Sequence, residues 1–274
     1  MRPHHLHLAG ERRSQRFGKR WTLRALVLMA LSCLAGPQCT QAAGSQILVS
    51  AAISLKEAFN DIANLYKLRT GTRVTFNFGA SGELEKQIEA GAPVDVFASA
   101  GEKEMQELQT EGLIDPASRT DFVRNSLVLV APVGSKLRLH SFRDLAQPQV
   151  RKIAIGDPQT VPAGRYARQL LENDHLWPKI EPRIVFAENV RQVLDYVDHG
   201  EVDAGVVYAT DVGIAHSKVS VVAHVSSGGY DPVLYPIAVV KGSRNPGAAQ
   251  GFVEFVLSPA GMNVLKKYGF LPAK

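Results

Sequence analysis

"VTFNFGASGELEKQI", residues 74–88, decides how the rest of the chain is read. Residues 74–78 set β-branched and aromatic side chains beside polar ones, as a strand does. Further on, Leu84, Gln87 and Ile88 share one face of a helix. Between the two stands Gly79-Ala80-Ser81-Gly82. Ser81 alone would serve as an N-cap, but two glycines are more than a cap requires. Glycine lets the main chain approach a ligand closely or take a positive φ. Acids follow the turn, and no Lys or Arg appears until Lys86. A strand that runs into such a bare helix start is the repeating unit of an α/β fold.

The same alternation continues on both sides. Residues 47–51 read as a strand, and Leu55, Ala58, Phe59, Ile62, Leu65 and Tyr66 then follow helical spacing. A strand over 94–98 precedes a helical pattern in Met105, Leu108 and Leu113, with Gly112 as its stop. Ser126 to Pro132 is a nearly continuous apolar strand. A second set follows, with strands over 153–156, 183–187 and 204–208 and helices over 163–173 and 190–199. The strand 235–241 and two helices close the chain. This predicts an α/β fold with mostly parallel strands in two lobes. No flexible linker appears, so the chain is expected to cross between lobes through strands, at 127–131 and 236–240.

The 274 residues carry 31 Lys and Arg against 26 Asp and Glu, a formal charge of +5. That excess is not spread over the chain. Residues 1–43 hold seven of the bases and one acid, leaving 24 bases and 25 acids beyond them. A near-neutral remainder has no field to attract nucleic acid or anionic lipid, so neither is expected as a partner. The first 43 residues read as a signal peptide. Arg12, Arg13, Arg16, Lys19, Arg20 and Arg24 precede an apolar run at 25–35, and Thr40-Gln41-Ala42 offers small residues for cleavage after Ala42 or Ala43. Arg12-Arg13 raises twin-arginine export, although Ser14-Gln15-Arg16-Phe17 fits that signal poorly. Both cysteines, Cys33 and Cys39, fall in the leader and neither has a good lipid-attachment context. The processed chain is thus expected without disulfide, thiolate metal site or Cys nucleophile.

Three further strand-to-helix turns resemble the first. In Ala51-Ala52-Ile53-Ser54, Ser54 stands three residues before Glu57, a spacing that favours a capping box. In the run 157–164, Pro162 suits a first helical turn, and Ala163 and Gly164 leave the helix start uncovered. In Ala187-Glu188-Asn189-Val190, Asn189 is the expected cap. Tyr208 ends its strand at a carboxyl edge, where open α/β sheets gather ligands, or it is a half-buried core tyrosine. Each turn alone is weak. Helix starts carry unpaired N–H groups and about half a positive charge. Several converging on one cleft would hold an oxyanion without any formal positive charge.

Competing chemistries find little support. Gly-Ala-Ser-Gly is not the Gly-x-Ser-x-Gly nucleophile elbow, and no histidine lies near either serine in sequence. A hydrolase acting on a phosphate or sulfate ester would need such a base. His140, His175, His199, His216 and His224 show no metal-ligand spacing, and the glycine turn lacks the Lys-Ser/Thr ending of a nucleotide phosphate loop. No enzyme activity and no cofactor is expected.

Seven segments, "AAISLKEAF", "NFGASGELEKQIEAGAPVDVFASA", "NSLVLVAP", "IGDPQTVPAGRYA", "AENVRQVL", "AGVVYATD" and "KKYGF", resemble in sequence and order the periplasmic molybdate-binding proteins of molybdate ABC importers. The resemblance runs from about residue 47 to residue 270. It implies a type II periplasmic-binding-protein fold, α/β and two-lobed, each lobe a mixed sheet flanked by helices with two crossover strands. Lobe I would comprise 44–125 and 233–274, and lobe II 126–232. It further implies a monomer that binds molybdate or tungstate between the lobes and delivers it to the membrane permease of an ABC importer. Carried over by motif, the hydroxyl donors fall on Ser54 and Ser81, the backbone donors on Ala163 and Val190, and the tyrosine hydroxyl on Tyr208. Another oxyanion such as sulfate is the alternative ligand. Gly-Ala-Ser-Gly departs from the serine-rich run of several relatives. Arg165 follows the Ala163-Gly164 turn and is expected to face solvent. Glu83, Asp157 and Glu188 are expected to point away from the ligand.

Overall fold

The computed structural model describes residues 45–214, 218–225 and 228–274. The leader read over 1–43, with Cys33 and Cys39, lies outside the described residues, as does His216. The first sheet has six strands in the order β11-β4-β10-β3-β1-β2. These are β1 (Gln46–Ala52), β2 (Arg73–Gly79), β3 (Val96–Ala98), β4 (Thr120–Asn125), β10 (Val233–Val239) and β11 (Leu271–Pro272). The second sheet, in the order β7-β6-β8-β5-β9, holds β5 (Leu127–Pro132), β6 (Ile153–Gly156), β7 (Ile184–Ala187), β8 (Ala204–Tyr208) and β9 (Val219–His224).

Helices α1 (Lys56–Thr70), α2 (Ser81–Glu89), α3 (Glu102–Thr110), α6 (Pro246–Leu257) and α7 (Pro259–Lys267) are built into the first half. Helices α4 (Pro162–Asn173) and α5 (Val190–Asp198) follow β6 and β7 of the second sheet. Their apolar stripes explain the layering. In α4, Ala163, Tyr166, Ala167, Leu170 and Leu171 are buried, at helical spacing, and in α5 Val190, Val193, Leu194 and Val197. Phe59, Phe122, Phe252 and Phe76 cluster under the first sheet with ring centroids 6.0–6.5 Å apart.

The expectation of mostly parallel strands is corrected. Pairs β1–β2, β1–β3, β6–β7 and β6–β8 are parallel, whereas β10 and β5 run antiparallel to every neighbour. Each of these two strands arrives from the other sheet without a crossover helix of its own. A parallel neighbour requires such a crossover, so they pair antiparallel. The crossings are also displaced from their expected places. β5 lies wholly in the second sheet and β10 wholly in the first. The chain changes sheets at Ser126, the one residue between β4 and β5, and again between β9 and β10.

This topology gathers six strand ends. Ala52, Gly79 and Ala98 end the parallel set β1, β2 and β3, and Gly156, Ala187 and Tyr208 end the parallel set β6, β7 and β8. Among the described residues no helix is long and apolar enough to cross a membrane.

Candidate functional site

A narrow cleft, partly open to solvent, lies beyond those strand ends. Ser54, Ser81, Ala163, Val190 and Tyr208, the five residues singled out by motif, all line it. They reach it from separate elements: Ser54 from the helical turn after β1, Ser81 from the start of α2, Ala163 from that of α4, Val190 from that of α5, and Tyr208 from the end of β8.

Each helix start is left open in its own way. α4 has no side-chain cap, and Pro162 has no N–H to offer. The amides of Ala163 and Gly164 therefore precede the first bond of that helix, from Arg165 N–H to Val161 O. At α5 the Asn189 carboxamide oxygen accepts from Arg191 and Gln192, as expected of a cap, and Val190 N–H stays outside that pairing. At α2 the cap position is Ala80, not Ser81. The Ser81 hydroxyl instead accepts from Ala100 N–H at 3.0 Å, so its proton is free to turn elsewhere. Neither Gly79 nor Gly82 takes a positive φ. Gly82 is a close approach: its N–H donates 2.9 Å to Thr160 O, and a Cβ would come within 2.8 Å of that oxygen.

The capping box at Ser54 is not formed. Ser54 Oγ lies 3.0 Å from Tyr235 Oη, and Glu57 forks onto Arg191 of α5 at 3.1 and 3.2 Å. Buried Tyr235 offers Ser54 a partner that the local helix start cannot match. Arg165 does not face solvent either. Its Nη2 lies 2.8 Å from Glu104 Oε1, and the Glu104 side chain is fully buried. A carboxylate out of water needs a counter-charge, which draws the guanidinium inward. Both arginines beside the cleft are thus tied to carboxylates, and neither is among its lining residues. Glu83, Asp157 and Glu188 are also absent from the lining. Asp157 accepts from Gln159 N–H in its own turn. Burial holds both Tyr208 and Tyr235 well above the usual phenol range, so each keeps its proton.

Sequence reasoning missed Ala100. Its N–H donates to Ser81 and its carbonyl accepts from Tyr208 Oη at 3.1 Å, joining the two walls. Ser99-Ala100-Gly101 is one more small-residue turn between a strand and a helix, so the pattern used for the other four turns would have found it. Among the described residues no group of three or more His, Cys, Asp or Glu is placed to hold a metal ion.

Burial raises three acids on the elements around the cleft. Burial, then Glu107, pushes Glu85 up to about 8. Burial, then Asp121, pushes Glu102 up to about 7. Burial, opposed by Arg191, pushes Asp211 up to about 6. Each is raised above its unfolded value, so the folded state binds the extra proton, and stability is lost as pH rises through the folded pKa. Urea midpoints should therefore fall between about pH 4 and about pH 8, and Glu85→Gln should flatten the upper part of that fall. A midpoint that rises across the window would contradict these assignments.

The bacterial extracellular solute-binding protein family model matches residues 47–271, most of the chain. The chain belongs to that family. Its relatives among the solute-binding proteins include the molybdate-binding protein ModA of Escherichia coli K12. That protein is 37% identical over 234 residues, covering 82% of this chain and 88% of its own. The putative ABC transporter substrate-binding lipoprotein YvgL of Bacillus subtilis is 36% identical over 258 residues, covering 92% and 98%. The periplasmic molybdate-binding protein of Azotobacter vinelandii superposes with a TM-score of 0.75 at 27% identity, covering 83% of this solute-binding chain and all of that one.

Proposed function

We propose that this protein binds molybdate in the cleft and delivers it to the membrane permease of an ABC importer. Tungstate, of the same shape and charge, is held equally. Ser54 and Ser81 hydroxyls and the Ala163 and Val190 amides are the donors, joined by the Tyr208 hydroxyl once its proton turns from Ala100 O to the anion. One observation carries the reading: uncharged donors from two sheets converge on one cleft, and the two arginines beside it, Arg165 and Arg191, are tied to carboxylates and do not line it. A site made only of donors suits a fully deprotonated dianion. Protonated phosphate brings an O–H that needs an acceptor, and the lining offers no carboxylate.

The protein acts in the periplasm as a monomer, exported by the leader over residues 1–43. Its halves, 44–125 with 233–274 and 126–232, close on the anion, because donors from both meet only in the closed form. A hydrolase would need a base beside a serine, and among the described residues no histidine lines the cleft.

A thermal-shift panel of molybdate, tungstate, chromate, sulfate and phosphate tests the assignment. Molybdate and tungstate should each raise the midpoint, and phosphate should leave it unmoved. Absence of a molybdate shift, or a larger one with phosphate, would overturn it.

A further inference from the structure

Behind Ser54 lies a chain of hydrogen bonds with only one consistent direction. Ser126 N–H donates to Asn125 Oδ1 at 2.9 Å, which fixes the orientation of that carboxamide. Asn125 Nδ2 then donates to Thr210 Oγ1 at 2.9 Å and to Tyr235 Oη at 3.3 Å, using both of its hydrogens. Tyr235 is fully buried, and its oxygen is already an acceptor. Its single proton is left for the 3.0 Å contact with Ser54 Oγ. Ser54 thereby accepts from Tyr235, and its own proton cannot lie on that bond.

We propose that Asn125 and Tyr235 are positioning residues that fix the Ser54 hydroxyl as a donor toward the cleft, and so make the site selective for anions that carry no proton. This rests on the oxyanion reading of the site. A free serine hydroxyl is ambivalent, donating to a bare oxygen or accepting from an O–H by rotating its proton. Ser54 is denied that rotation because Tyr235 already supplies the inner proton. The order is set at Ser126, the residue where the chain passes from one sheet to the other, so it is as rigid as the main chain there. Burial keeps the Tyr235 proton in place across the physiological range.

Two substitutions break the order in opposite ways. Tyr235→Phe removes one oxygen and frees the Ser54 rotor. Asn125→Asp replaces the donor with an acceptor, so that Tyr235 turns its proton toward residue 125 and accepts from Ser54, reversing the chain. Titration calorimetry of the processed protein with sodium molybdate, and with phosphate at about pH 8 where the monohydrogen dianion prevails, reads the outcome. Tyr235→Phe should weaken molybdate about three- to tenfold and leave phosphate unchanged or tighter. Asn125→Asp should shift the molybdate-to-phosphate ratio further in the same direction. A purely structural role would weaken both anions alike. In a Ser54→Ala background, Tyr235→Phe should add nothing.

An unchanged anion ratio in Tyr235→Phe, or full additivity with Ser54→Ala, overturns the proposal. If either variant fails to fold by calorimetry, the other gives the same readout. Failure of the unsubstituted protein to bind molybdate would count against the function reading instead. The ratio would then be measured with whichever oxyanion of the panel binds.

Discussion

Replacing Ser54 and Ser81 together with Ala should weaken molybdate binding by about 10²–10⁴-fold. A hydrogen bond to a charged group contributes about 1.5–3 kcal/mol, and two of them are removed from a site with no cation to compensate. Both changes cost the rest of the structure something. Without Ser54, Tyr235 keeps its bond from Asn125, but its own buried O–H loses its acceptor. Without Ser81, the Ala100 N–H loses its acceptor in a buried position, which costs about 1–3 kcal/mol of stability. Titration calorimetry must therefore be paired with a denaturation curve of the ligand-free variant. Affinity within tenfold of the unsubstituted protein, with the fold intact, would remove the hydroxyls from the site.

Gly164→Ala should have the largest effect on the fold itself. A Cβ at that position would stand 1.8 Å from Gly156 O and 2.5 Å from the carbonyl carbon of the same residue. Both are main-chain atoms of β6, so no rotamer relieves the clash. The start of α4 would be driven off the strand it packs on, at a cost of about 3 kcal/mol or more. The Ala163 amide would move with it, and binding would fall as well. Gly247→Ala is the control. It also lies in the first turn of a helix, yet nothing stands within 4 Å of its Cβ, so the change should be neutral or mildly stabilising. Equal midpoints for the two variants, by urea or heat, would refute the packing argument.

Much of the site was legible because its parts are local. The helix over residues 163–173 and the strands at 153–156 and 204–208 could be bounded closely, since proline, glycine and apolar runs mark them. The strand β4 was missed. Its sequence, Thr-Asp-Phe-Val-Arg-Asn, mixes charge with only two buried residues, Phe122 and Val123. β9 was missed for a similar reason: it is an edge strand with one partner and half-exposed side chains. The direction of side chains was the harder matter. Ser54 at a capping spacing from Glu57 reads as a local pair, yet its partner lies 181 residues away. Arg165 finds Glu104 at a separation of 61 residues. Spacing within a turn cannot reveal competition from a group that only the fold brings near. Motif resemblance placed all five residues on one cleft, but it did not disclose what stands behind them.

The bare α-carbon at residue 82 has a consequence for how the two halves meet. Peptide groups of the two halves touch there, Gly82 N–H on Thr160 O, with no side chain as a spacer, so their approach beside the cleft is as close as main chain allows. Adding a side chain at that point can only jam the walls apart and never bring them nearer. The spacing of the two halves at that contact is thus inherited with the backbone path, while the hydroxyls that meet the guest are set by side chains.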